Sequence, residues 1–399
     1  MTNLKEKFER VKIKDILSIF LFVIAIPEAF FLRKKRPDMW LICEYANEAQ
    51  DNAFWLYRYI CQHHKGQDVV YAINKHSKSY EKVKNLGEVI QYGGYKHWVY
   101  YLAASKNISS QKGGKPNAAV CYVLEVSGLL KNVRIFLQHG ITINNVTWLA
   151  YENTKMNLFV CGAKKEYEFV KDTFGYPEGF VQYLGFARFD GLHDCVIKKK
   201  QILVMPTWRE WIVDKTSKAF ELDDMTSFES TEYFKYWNAF LNSKKIAQIL
   251  EENQLELIFY PHREMQRYIH SFTTASSRIV MANCEKYDVQ TLLKESAFMI
   301  TDYSSVCMDF GYMRKPMILY QFDQEKFRKG QYDEGYFDYA QDGFGPVCRS
   351  LQEVEEEFEK AVNRNLEVED LYLQREKDFF TLWDTNNCQR IYEAIKKLK

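Results

Sequence analysis

Short apolar runs recur along this chain, half of them closing on a proline, a histidine or an acidic residue, and segments of helical spacing lie between them. That alternation limits what the chain can fold into. Met39–Cys43, Asp68–Ile73, Glu88–Gln91, Asn107–Ser110, Arg134–Gln138 and Leu158–Cys161 read as strands. Asn47–His64 carries Ala53, Leu56, Tyr57, Ile60 and Cys61 on one helical face, and His97–Ala104 also reads as helix. The pattern restarts after Lys198, Lys199 and Lys200. Strands follow at Gln201–Met205, Glu256–Tyr260, Phe298–Thr301 and Pro316–Tyr320. A long helix is expected near Tyr233–Asn253, a short one at Val306–Met313, and a charged helical stretch from Leu351 onward. Strands alternating with helices build parallel sheets covered on both faces. The chain therefore reads as an N-terminal segment 1–36 and two α/β domains, 37–196 and 197–399. Two such sheets in tandem imply a cleft, with ligands beyond the C-terminal ends of strands.

Three polar motifs fall at expected strand ends: Gln138-His139-Gly140, Pro261-His262-Arg263 and Asp302-Tyr303-Ser304-Ser305. A histidine there can exchange a proton near neutral pH, and Gly140 permits close approach of a substrate. The bland reading of His139 is a structural hydrogen-bonding group. His262 and Arg263 offer cationic donors to a phosphate, or form a solvated basic loop. Ser304 and Ser305 precede a helix, where they either cap it or face an anion. Arg209, in Pro206-Thr207-Trp208-Arg209, is a further phosphate candidate. Glu44, Asp51 and Asn52 follow the first strand and are candidates for an acceptor side, with a helix cap as the alternative for Asp51 or Asn52. Arg188, in Gly185-Phe186-Ala187-Arg188-Phe189-Asp190, either reaches the cleft or pairs with Asp190. Neither G-x-x-x-x-G-K-[ST] nor a strand-linked G-x-G-x-x-G occurs, which weighs against a P-loop kinase and a nicotinamide enzyme.

The formal charge of +1 gives no electrostatic case for nucleic-acid binding, so no such partner is expected. Nine cysteines without a C-x-x-C pair argue against a zinc site and a disulfide framework, leaving buried thiols in a reducing compartment. Ile16–Ile26 is apolar, is interrupted by Pro27 and Glu28, and is flanked by Lys5, Lys7, Arg10, Lys12 and Lys14 before and Arg33–Arg36 after. It is short for a spanning helix, so it reads as a monotopic anchor on anionic lipid, with a core helix of the first domain as the alternative.

These motifs together resemble the CDP-glycerol glycerophosphotransferase family, which makes teichoic acid and capsule polymers. The matching segments are Trp40–Glu44 with Glu48–Asn52, Phe136–Ile141, Gly185–Asp190, Pro206–Arg209, Pro261-His262 and Thr301–Ser305 with Asp309-Phe310. They run in order over roughly residues 38 to 320. Ala53 departs from the glycine usual in the family, and the chain lacks the extra N-terminal domain of large polymerases.

The resemblance implies a GT-B-like α/β fold of two Rossmann-like domains with parallel sheets facing a cleft. It also implies no metal, no cofactor, and attachment to the cytoplasmic face of the cell membrane. The donor would be CDP-glycerol or CDP-ribitol, and the acceptor lipid-linked or polymeric. By motif position His139 is the base and His262 the second essential histidine. Asp302, Ser304 and Ser305, with Arg209 nearby, contact the donor pyrophosphate. A glycosyltransferase of the same architecture using a sugar nucleotide is the rival reading. A non-catalytic nucleotide-binding module at the membrane is another. Neither the alditol nor the number of additions is legible in the residues.

Overall fold

The computed structural model describes residues 13–130, 132–213, 228–330 and 333–398. Lys5, Lys7, Arg10 and Lys12 lie outside the described residues, as does the Lys14 side chain. The chain divides into two compact units. The first comprises residues up to Ile141, Thr147–Gly191 and the stretch from Asp384. The second comprises Thr142–Val146 and Leu192–Trp383.

The first unit is a seven-stranded parallel sheet in the order β3-β2-β1-β4-β5-β6-β7. The strands are β1 (Trp40–Cys43), β2 (Val69–Ile73), β3 (Glu88–Gln91), β4 (Lys106–Ser109), β5 (Val133–Phe136), β6 (Leu158–Cys161) and β7 (Val181–Tyr183). Every residue of β1, β2 and β6 is buried, because helices cover both faces. The second unit is a six-stranded parallel sheet in the order β10-β9-β8-β11-β12-β13. Here β8 is Lys198–Met205, β9 Glu256–Phe259, β10 Ile279–Met281, β11 Ser296–Thr301, β12 Met317–Tyr320 and β13 Val347–Cys348. In each sheet the order reverses at one place, between β1 and β4 and between β8 and β11. Ligands bind at such switch points in doubly wound sheets.

Three expectations change. The stretch 233–253 is two helices, Glu232–Leu241 and Lys244–Glu252, because Ser243 leaves helical geometry and its hydroxyl accepts from the Ile246 N–H at 3.0 Å. The helix expected from Asn47 starts at Asn52, capped by the Asp51 carboxylate. The C-terminal stretch was grouped with the second domain, yet from Asp384 it belongs to the first unit. Asp190 decides this: its carboxylate accepts from the N–H groups of Asn387 (2.9 Å) and Cys388 (2.8 Å), capping the helix Asn387–Lys397.

The N-terminal helix Ile13–Lys35 contains Pro27 and Glu28 within one continuous element. Leu21, Phe22, Ala25, Ala29 and Leu32 pack into the core of the first unit with Trp98, Val99 and Tyr101. Trp98 Nε1 donates to Ser18 Oγ at 3.1 Å. The opposite face exposes Ile16, Leu17, Phe20, Val23, Phe30 and Phe31. One narrow stripe of the helix is thus inside the fold, with a broad apolar face exposed and Arg33, Lys34 and Lys35 in its last turn.

Candidate active site

In the first unit, the turn after β5 presents His139. Gln138 sits at φ 59°, a left-handed conformation that costs a non-glycine residue about 1–2 kcal/mol. Its enclosed side chain holds the turn: Nε2 donates to Val160 O (2.7 Å) and Glu166 Oε1 (3.0 Å). Glu166 Oε2 in turn accepts from the Gly162 N–H at 2.7 Å. From the other side, Asn52 Nδ2 donates to Gln138 O (2.7 Å) and Leu137 O (3.2 Å), and Asn52 Oδ1 accepts from the Arg188 N–H (3.1 Å). Asn52 therefore ties three segments to one point at the start of a helix.

His139 is solvent-accessible at the tip of this turn although protein atoms crowd round it. That crowding lowers its pKa below the ordinary imidazole value. Asp51 opposes the shift and Arg188 reinforces it. Asp51 and Arg188 pair with each other at 2.9 Å, so Arg188 pairs with Asp51 while Asp190 caps the C-terminal helix. A neutral imidazole beside an Asp–Arg pair can accept a proton at neutral pH.

Glu44, expected on an acceptor side, is fully enclosed. Its carboxylate accepts from the N–H groups of Gln50 (3.0 Å), Asp51 (3.0 Å) and Phe54 (2.9 Å), shaping the loop before the helix. Burial, with the Asp51 charge adding, pushes its pKa up to about 8 against those bonds. Glu44 and Asn52 are both enclosed, and their hydrogen bonds go to the segments that carry Asp51, His139 and Arg188.

In the second unit, His262 follows β9 at Pro261 and starts the 3-10 helix Arg263–Ser271. Its Nδ1 accepts from the Glu264 N–H at 3.3 Å. That bond assigns the ring proton to Nε2, which becomes a donor. Burial lowers the His262 pKa, Glu264 opposes and Arg263 adds, so the ring acts as a neutral N–H donor. Trp208 stacks on it, with ring centroids 6.2 Å apart. Arg263 is exposed.

Arg209 and Asp302 correct the reading of both as direct phosphate contacts. Both are fully enclosed. Arg209 Nη2 lies 2.9 Å from Asp302 Oδ2, and its Nε and Nη2 reach Asp323 at 2.7 and 3.0 Å. The rings of Tyr233, Tyr303, Phe322 and Phe327 surround the guanidinium at 5.1 to 5.8 Å. Asp302 Oδ1 accepts from the N–H groups of Thr207 (2.8 Å) and Tyr303 (2.7 Å). One buried ion cluster thus fastens the loops after β8, β11 and β12 together. It leaves Ser304 half-buried and Ser305 exposed, and neither hydroxyl makes a hydrogen bond among the described residues.

Sequence reasoning missed Asp323, Gln138 and Glu166. Asp323 closes a strand-end segment much as Asp302 does, and that signal was present. Nothing in the residues announces that Gln138 adopts a left-handed backbone.

A family model described as CDP-glycerol:poly(glycerophosphate) glycerophosphotransferase matches residues 25–397. The chain belongs to that family. The minor teichoic acid biosynthesis protein GgaB of Bacillus subtilis (strain 168) is 32% identical over 391 residues, covering 97% of this chain and 43% of that protein. A teichoic acid glycerol-phosphate transferase of Staphylococcus aureus (strain NCTC 8325 / PS 47) is 26% identical over 205 residues, 50% of this chain and 46% of that one. The chain spans less than half the length of these curated relatives. The solved wall teichoic acid polymerase TagF shares the fold, with a TM-score of 0.66 at 17% identity over 97% of this chain and 98% of that one. Two Rossmann-like units of the GT-B-like class are therefore the fold this chain shares with that polymerase.

Proposed function

We propose that this chain transfers an alditol phosphate, glycerol phosphate foremost, from a CDP-alditol to an acceptor hydroxyl in teichoic-acid-type synthesis, releasing CMP. The observation that carries this is the His139 turn, a strained and doubly braced backbone presenting a neutral imidazole in a chain of this family. His139 takes the proton of the acceptor hydroxyl. The oxygen attacks the alditol-bearing phosphorus, the bond to the bridging oxygen breaks, and CMP departs with the electron pair. The His262 Nε2–H, Arg263 and the hydroxyls of Ser304 and Ser305 donate to the pyrophosphate as charge develops. Arg209 and Asp302 act through the turn they fix. The acceptor is lipid-linked or polymeric.

The uncovered apolar face of the N-terminal helix supports attachment to a membrane surface. Its basic last turn suits the anionic cytoplasmic leaflet. A donor panel tests the chemistry. CMP release from CDP-glycerol or CDP-ribitol, with a product heavier by one alditol phosphate, is expected. UDP release from a UDP-sugar would redirect the reading to glycosyl transfer. Tight donor binding without turnover would make the chain a binding module.

A further inference from the structure

At the N-terminal edge of the first sheet, away from the strand ends that carry His139, lies a pocket of about 350 Å³. Trp40, Lys106 and Val133, at the starts of β1, β4 and β5, line it. Arg33 from the N-terminal helix and Lys396 from the C-terminal helix also line it, with Asp38 the acidic lining residue. Among the described residues, three cations and one carboxylate thus line the pocket. Lys106 is half-buried, its ammonium 5.9 Å from the centre of the Trp40 ring. That ammonium makes no hydrogen bond or ion pair among the described residues, and neither does the Arg33 guanidinium. Burial lowers the Lys106 pKa, Lys396 adds to that, and Asp38 opposes it. A half-buried ammonium beside like charge is costly unless an anion joins it. Nearby Arg36 is already committed to Asp68 and to Glu88 at 2.8 Å, and contributes nothing here.

We propose that this pocket takes the phosphodiester headgroup of an anionic lipid, held by Arg33, Lys106 and Lys396. The volume admits a phosphate with its glycerol, and the polar, mostly basic lining suits that headgroup. The source is a lipid because Arg33 belongs to the last turn of the helix whose outer face, including Phe30 and Phe31, is apolar and uncovered. Acyl chains lying along that face bring a headgroup to the pocket rim. This rests on the membrane attachment proposed above and adds a defined lipid-binding site to it.

The test is vesicle co-sedimentation of the full chain with phosphatidylcholine vesicles, with and without phosphatidylglycerol. Each basic group near an anionic surface contributes roughly fivefold in binding. Direct contact with the headgroup phosphate adds roughly tenfold or more to that diffuse attraction, so Lys106→Glu should lose on the order of a hundredfold or more of the phosphatidylglycerol-dependent binding, and Lys106→Arg should retain it. Lys34→Glu, on the exposed side of the same helix, should lose distinctly less. Equal losses for Lys106→Glu and Lys34→Glu would mean diffuse attraction and overturn the pocket. Acetylation of Lys106 should be blocked by phosphatidylglycerol vesicles. Blocking by inorganic phosphate or glycerol 3-phosphate, but not by vesicles, would overturn the lipid source. If the unaltered chain sediments with neither vesicle, the membrane reading itself fails. Unchanged melting of Lys106→Gln confirms that the fold tolerates the position.

Discussion

Replacing Arg209 with methionine isolates the buried ion cluster, because methionine keeps the length and removes the charge. The guanidinium makes contacts of 2.7, 3.0 and 2.9 Å to two carboxylates whose side chains are 5% and 0% exposed. Solvent screens such a group little, so no discount for exposure applies. Removing one partner of a buried pair costs about 3–5 kcal/mol, since the remaining charge is stranded. Two carboxylates are stranded here, so the upper part of that range is expected, roughly a thousandfold in the unfolding equilibrium of the second unit.

The deficit depends on pH. Burial raises the folded-state pKa of Asp302, with Arg209 opposing, so removing Arg209 raises it further. A carboxyl with a raised folded pKa stabilises the fold below the ordinary carboxylate range and loses that contribution as pH rises to the raised value. The gap between Arg209→Met and the natural chain should therefore be widest near neutral pH and narrow in mild acid. Urea titration followed by tryptophan fluorescence measures it. A variant within about 1 kcal/mol of the natural chain at neutral pH would refute the cluster as the fastening of these loops.

Four further outcomes follow from the same geometry. His139→Ala should lower the transfer rate by about 10²–10⁴-fold while the melting temperature holds, and the acid limb of kcat/KM in the natural chain should lie below the ordinary imidazole value because its pKa is lowered. Gln138→Gly should be more stable than Gln138→Ala by about 1 kcal/mol, since glycine accepts the left-handed backbone that alanine resists; calorimetry decides. Glu44→Gln should remove a decline in stability that Glu44 imposes from its ordinary pKa up to about 8, read as a flattened stability profile between those limits. Asn52→Ala should leave the Leu137 and Gln138 carbonyls and the Arg188 N–H without their partner, costing about 2–4 kcal/mol and slowing transfer through displacement of His139, which Asn52→Asp should not fully restore because it cannot donate to the carbonyls.

The sequence by itself determined the two parallel sheets and ten of the thirteen strands described in them, missing the short edge strands β7, β10 and β13. Runs such as Val69–Ile73 and Leu158–Cys161 are apolar throughout, and a strand buried on both faces must be. It also determined where His139, His262 and the Asp302–Ser305 turn stand, because proline and polar residues end the strands there. Tertiary structure decided which polar residues face outward. Arg209 and Asp302 look like phosphate ligands in a linear reading, and folding encloses them because Asp323 arrives from a different strand end to complete their charges. Glu44 is enclosed because the following loop turns three N–H groups back onto it. The C-terminal helix shows an apolar stripe in any reading, but a stripe does not name the surface it covers; Asp190, nearly 200 residues earlier, does. Periodicity and turn chemistry are local and survive translation into sequence rules. Charge pairing across strand ends is not local, and it exists once the sheet has brought the partners together.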